Sequence, residues 1–214
     1  MPGPRPSPPT PSAAPGRGTA RGRAGRHRVA GLVLTPGASA GRDQPALVAI
    51  DEALGAEGVA VERIDFPYRL AGRRAPDRPP VLIAAVVDAA RALAVALGRP
   101  QSTVALGGRS MGGRMCSMAV AEGLEAAALV LVSYPLHPPG KPDALRTEHF
   151  PAIGVPCLFV SGTRDAFGTP AELERATTAI RGPVTHAWVE GGDHGLRARD
   201  AAVAQIVREW VLAL

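Results

Sequence analysis

The segment Gly107-Gly108-Arg109-Ser110-Met111-Gly112-Gly113 limits what this chain can fold into more than any other. A β-like apolar run at 102–106 leads into it, and a helix-compatible run from Met115 to Ala121 leads out. Gly108 to Gly112 therefore reads G-x-S-x-G in strand–turn–helix context, the setting of a nucleophile elbow. The turn is so tight that a side chain two residues before or after the serine would strike the neighbouring strand or helix. Glycine at Gly108 and Gly112 removes both clashes. The Ser110 hydroxyl is then held at the top of a sheet, over a helix N-terminus that favours negative charge. The competing reading is a glycine-rich β–α turn with an incidental serine, and the flanking strand and helix weigh against it.

A serine hydroxyl is a weak nucleophile near neutral pH. It needs a base, and the base needs an orienting acid. Both follow later apolar runs. The run at 155–161 ends in Gly162-Thr163-Arg164-Asp165, and the run at 184–189 ends in Glu190-Gly191-Gly192-Asp193-His194. Ser110, Asp165 and His194 thus fall in the order Ser, Asp, His, each beyond a strand end. In this reading His194 takes the Ser110 proton and Asp165 orients the ring. Asp193 is a rival acid, but its position beside His194 points it elsewhere.

At these residues the chain resembles the α/β-hydrolase superfamily, on its dienelactone-hydrolase-like side. Ser133 to Pro142, Leu145 to His149 and Gly162 to Gly168 resemble more closely a small hydrolase-like group related to a testis-expressed protein and to a subunit of a nonspecific-lethal chromatin complex. The resemblance covers residues 29–214. It implies an α/β fold, a three-layer α/β-hydrolase-type sandwich whose six-stranded parallel sheet has the order 2-1-3-4-5-6, with helices on both faces and a minimal lid. It also implies an oxyanion hole made by the Met111 amide and by an amide near Ala38, in the loop after the first strand. That loop, Leu34 to Gly41, carries Pro36 in a segment that many relatives begin with His, so the side chain that would brace it is missing. The function implied is a serine hydrolase acting on a small ester or related acyl substrate, with no cofactor. A catalytically silent scaffold that binds protein partners is the alternative, and acyl transfer to a nucleophile other than water is a third. The filled triad positions favour the first.

Apolar β-like runs at 29–34, 59–64, 102–106, 127–132, 156–161 and 184–189 alternate with helical patterns at 45–57, 79–97, 111–123, 170–181 and 198–213. Such alternation predicts a parallel sheet covered on both faces. Residues 134–154 hold five prolines, which predicts a stiff flap in place of a helical lid. A modest, open site suited to small substrates follows. Tyr134, His137 and Phe167 are its candidate pocket side chains. His137 and His149 read equally as loop histidines bonded to backbone or solvent, and His186 as a satisfied buried histidine. Arg69, Arg73 and Arg74, near Tyr68, read either as an anion-recognition set or as a solvated loop. Arg109 is expected to pack against or pair with a neighbour, Asp43 to cap or close the oxyanion loop, and Trp188 and Trp210 to pack in the core.

A chain of 214 residues suits one domain with a substantial core, here 29–214. Its net charge of +5 does not mark a nucleic-acid-binding face. Six of the 24 basic residues lie in residues 1–28, which hold no acid, and the other 18 balance 19 acidic ones. That tail, rich in Pro, Gly and Ser, cannot bury a core and is expected to be disordered. Its arginines, with Val29 to Leu34 and Ala38-Ser39-Ala40, loosely imitate a leader peptide, but six apolar residues are too few for one. No membrane span and no metal site are expected, and Cys116 and Cys157 form no disulfide or zinc framework. A cytoplasmic setting is the default. Substrate identity and oligomeric state are not legible.

Overall fold

The central strands are apolar on both sides because helices cover both sides. In the computed structural model, which describes residues 29–38 and 40–214 together with Met1 and Gly3, six strands form one sheet. The tail expected over 1–28 otherwise lies outside the described residues. The strands are β1 (Gly31–Thr35), β2 (Ala60–Arg63), β3 (Val104–Arg109), β4 (Leu129–Val132), β5 (Cys157–Gly162) and β6 (Val184–Val189). Their order is β2-β1-β3-β4-β5-β6, and every pair is parallel. Among the described residues six α-helices accompany them: α1 (Pro45–Gly55), α2 (Pro67–Leu70), α3 (Pro79–Leu97), α4 (Met111–Ala121), α5 (Pro170–Thr177) and α6 (Asp200–Leu212).

Strand alternation sorts the core into two layers. Val33, Leu106, Leu131 and Phe159 face a cluster with Val86 and Ala90 of α3 and Met115 and Cys116 of α4. Leu32, Leu34, Val130 and Leu158 face the opposite cluster, with Leu47 and Ile50 of α1 and Val203 and Val207 of α6. The sheet edges are half-buried, and Trp188 and Trp210 pack there rather than in the deep core.

The element assignment differs from expectation at three places. The third strand, expected at 102–106, is a 3-10 turn at Gln101–Thr103 followed by β3. Glycine is a poor strand former, yet pairing on both sides carries the strand through Gly107 and Gly108. Thr35 pairs with Gly108 on one side, and Leu131 pairs with Gly108 on the other. Helix α2 was not anticipated, since four residues are too few to show a period. Finally, α3 is long and apolar enough, by length and composition, to cross a membrane. Its alanines and valines raise the hydropathy, while Leu82, Val86, Ala90 and Ala94 pack inward on the sheet.

The connection from β4 to β5 contains no α-helix, only a 3-10 turn at Phe150–Ala152. It folds back on the sheet. The Tyr134 ring lies 5.4 Å from that of Phe150 and 5.7 Å from that of Phe159, and its hydroxyl donates to Arg146 O at 2.8 Å. Tyr134 and His137, expected at the pocket wall, are consequently turned inward, with 1% and 5% exposure. The His137 ring is occupied by Pro138 O at 2.9 Å and by Glu172 at 3.5 Å. Burying the tyrosine ring against two phenylalanines outweighs presenting it to solvent.

Candidate active site

The turn from β3 into α4 puts Ser110 at φ 51°, ψ −117°, a conformation that a side-chain-bearing residue adopts only under constraint. The constraint is visible. Ser110 N donates to Val132 O at 2.9 Å, and Arg114 N donates to Ser110 O at 3.1 Å. A Cβ on Gly108 would collide with Thr35 Oγ1 and sit 2.6 Å from Thr35 O. One on Gly112 would sit 2.5 Å from Thr35 O and 2.6 Å from Pro36 O. Both glycines are therefore sterically required, and together they let the first-strand loop press against the elbow.

The Ser110 hydroxyl lies 2.8 Å from His194 Nε2. On the far side of the ring, His194 Nδ1 lies 2.8 Å from Asp165 Oδ2 and 3.0 Å from Oδ1. Asp165 is buried at the end of β5, and its Oδ1 also accepts the Phe167 amide at 2.8 Å. Phe167 stacks on the imidazole with a centroid separation of 3.9 Å. The ring is thus fixed by a carboxylate at one edge and an aromatic face on one side. Asp193 turns away, accepting the Leu196 amide at 3.0 Å.

Arg109 reaches across from the end of β3 to the histidine loop. Its Nη2 donates to His194 O at 2.6 Å and to Gly195 O at 2.8 Å. Burial pulls this guanidinium below its ordinary pKa, and Asp200, Asp165 and Asp193 oppose that pull. The expectation that Arg109 packs on a neighbour is met by these backbone contacts.

The loop after β1 is braced without a histidine. Gly37 N donates to Gln44 Oε1 at 3.1 Å, and the buried Tyr68 hydroxyl donates to Ala38 O at 2.6 Å. Burial raises the Tyr68 pKa, so the hydroxyl remains a donor. Asp43 pairs instead with Arg63 at 3.2 Å, and it is Asp65 that accepts the Arg42 amide, at 2.8 Å. We expect Tyr68→Phe to lower kcat about tenfold with little change in KM, because the loop loses one orienting bond while the cavity keeps its shape. Steady-state kinetics on a chromogenic ester checks this.

A cavity of about 490 Å³ opens over Ser110 and His194. Ala38, Met111 and Phe167 line it, whereas Arg69, Arg73 and Arg74 do not. The arginines at its wall are Arg109, Arg114 and Arg146. Arg114 comes from the first turn of α4 and Arg146 from the flap. Neither signalled itself in the sequence, because side-chain direction across two elements depends on how the flap folds back. Of the other histidines, His149 bonds Ser117 Oγ at 2.8 Å, and its pKa is pushed down to about 4, by burial first and by Arg114 second. His186 bonds Thr177 Oγ1 at 3.0 Å and stacks on Trp188.

The fold and this arrangement define an α/β-hydrolase. The family described as "Alpha/beta hydrolase domain" matches residues 28–210, and the chain belongs to it. Solved structures show the same fold at low identity. An alpha-beta serine hydrolase homologue from Coxiella burnetii aligns with TM-score 0.69 at 16% identity, covering 85% of this chain and 84% of that one. A dienelactone hydrolase from Anabaena variabilis aligns with TM-score 0.68 at 23% identity, covering 86% and 87%. An esterase domain from a Rhodothermus marinus protein aligns with TM-score 0.65 at 18% identity, again covering 86% and 87%.

Proposed function

We propose that this protein is a serine hydrolase that cleaves small carboxylic esters through an acyl-enzyme, and that it acts in the cytoplasm. The observation that carries the reading is the continuous hydrogen-bonded chain Ser110–His194–Asp165 at an elbow serine with constrained backbone. His194 Nε2 accepts the Ser110 proton as Oγ attacks the ester carbonyl carbon. Asp165 keeps the Nδ1 proton in place and stabilises the imidazolium. The Met111 amide, with that of Ala38, receives the developing oxyanion. Collapse of the tetrahedral intermediate expels the alcohol, which takes the proton from His194. Water then attacks the acyl-enzyme, with His194 as base, and releases the acid. The segments Ser133 to Pro142 and Leu145 to His149 keep the chain, by resemblance, beside the small hydrolase-like group related to a testis-expressed protein and a nonspecific-lethal complex subunit.

The short flap and the 490 Å³ cavity favour short acyl chains. Across para-nitrophenyl acetate, butyrate, octanoate and palmitate, kcat/KM is expected to peak at the short end and to fall at least tenfold by palmitate. Absence of turnover on every ester, with folded protein, would overturn the hydrolase reading.

A further inference from the structure

We propose that the cavity selects substrates bearing a carboxylate, held by the guanidinium groups of Arg114 and Arg146 while the ester carbonyl lies at Ser110. The inference rests on the hydrolase reading for its chemistry, but its binding half can be tested without turnover.

Three arginines line the cavity and, among the described residues, no acidic residue does. Arg109 is spent on the His194 and Gly195 carbonyls. The other two lack that engagement. Neither Arg114 nor Arg146 forms a salt bridge among the described residues, whereas Arg42, Arg63, Arg73 and Arg208 each do. Arg114 Nε is buried with no acceptor among the described residues. Arg146 makes one side-chain contact, at 3.5 Å to Pro135 O, which is outside good hydrogen-bond range.

The two cations also act on each other. Burial and then the Arg114 charge pull the Arg146 pKa down, and Arg114 helps lower that of His149. Glu148, the acid that opposes Arg114 at His149, is exposed and off the cavity wall. A like-charged pair at a half-buried wall is unfavourable unless an anion joins it, and guanidinium matches carboxylate geometry with paired donors.

The backbones that carry the pair are also held in place. Arg114 is fixed in the first turn of α4, four residues after Ser110. The Arg146 backbone is pinned by N–H donation to Leu136 O at 2.9 Å and by acceptance from Tyr134 at 2.8 Å. With both backbones anchored, the freedom lost on binding is confined to the two side chains. The substrate class is thus a half-ester of a short dicarboxylic acid, or a similar acyl ester with one remote carboxylate.

The test compares para-nitrophenyl hemiglutarate with para-nitrophenyl valerate, which differ by a terminal carboxylate against a methyl. For the wild type, kcat/KM is expected to favour the hemiglutarate by about tenfold or more. In the Arg114→Gln/Arg146→Gln double variant that ratio should fall to near one, while Arg69→Gln, outside the cavity, leaves it unchanged. Calorimetric titration with glutarate should show binding to wild type and about tenfold weaker binding to the double variant. A wild-type ratio near one, or a preference that survives in the double variant, overturns the proposal and leaves the hydrolase reading standing. If neither ester turns over, the hydrolase reading fails and glutarate binding alone decides. Loss of binding in the double variant supports the anion site, and no binding to wild type at millimolar glutarate sinks it.

Discussion

Replacing Ser110 by alanine is expected to lower kcat on a short ester by roughly 10⁴- to 10⁶-fold while leaving the fold intact. The loss follows from chemistry: without Oγ there is no acyl-enzyme, and His194 can at best activate water against the bound ester. The fold should survive for three local reasons. Alanine keeps the Cβ, so the elbow is packed as before. Ser110 makes no side-chain capping bond to α4, so the helix loses nothing at its start. Its hydroxyl bonds only His194 among the described residues, near the cavity surface. Thermal unfolding of Ser110→Ala within a few degrees of wild type, beside the lost turnover, is the expected pair of results. A variant that kept wild-type turnover would remove Ser110 from the mechanism.

The second large effect is expected at Asp165. Asp165→Asn should lower kcat by about 10⁴-fold, nearly as much as losing the nucleophile, although only one atom type changes. The carboxylate accepts from His194 Nδ1 at 2.8 Å, which leaves Nε2 free to accept from Ser110. An amide nitrogen at Oδ2 would donate to Nδ1, drive the proton to Nε2 and leave that atom unable to act as base. Oδ1 meanwhile accepts the Phe167 amide, so the amide oxygen has a reason to stay there and the nitrogen to face the ring. The ring itself should not move, since Phe167 still stacks on it at 3.9 Å. An NMR measurement of the histidine tautomer would separate this cause from simple disorder. If Asp165→Asn cost less than tenfold in kcat, the orienting role would belong elsewhere.

The sheet was legible because its strands carry the signal locally: Leu129 to Val132 and Val155 to Ser161 are apolar on both faces, and helix periods lie between them. The elbow was legible because its glycines are required by steric contact, which acts at fixed sequence spacing. What depends on distant packing was not. Tyr68 reads as a member of an arginine-rich loop, yet it reaches thirty residues back to hold Ala38. Its signal was the Phe66-Pro67-Tyr68 cluster, apolar and aromatic where a solvated loop would be polar. Tyr134 and His137 follow a strand end, the same position that places Asp165 and His194, so the strand-end rule put them in the pocket. The rule gives where the backbone is. Which way the side chain turns was decided by Phe150 and Phe159, which no local pattern connects to Tyr134.

The same limit hid the cavity arginines. Arg114 sits where a helix position reads as one among many, and Arg146 sits in a flap whose fold depends on the Tyr134 hydroxyl. The brace of the loop after β1 differs from expectation in kind rather than in place. The sequence shows that the bracing histidine is absent, but only the fold brings Gln44 and Tyr68 to take its place.

The most direct test of the account is the intact mass of the purified protein after reaction with a fluorophosphonate, beside Ser110→Ala. Phosphonylation requires a serine whose proton is taken by a nearby base and whose adduct oxygen is held by backbone donors, so it reads the elbow, His194 and the oxyanion loop at once. The account predicts one adduct on the wild type, mapped to Ser110, and none on the variant. Folded wild-type protein that stays unmodified, or an adduct that persists in Ser110→Ala, would contradict it.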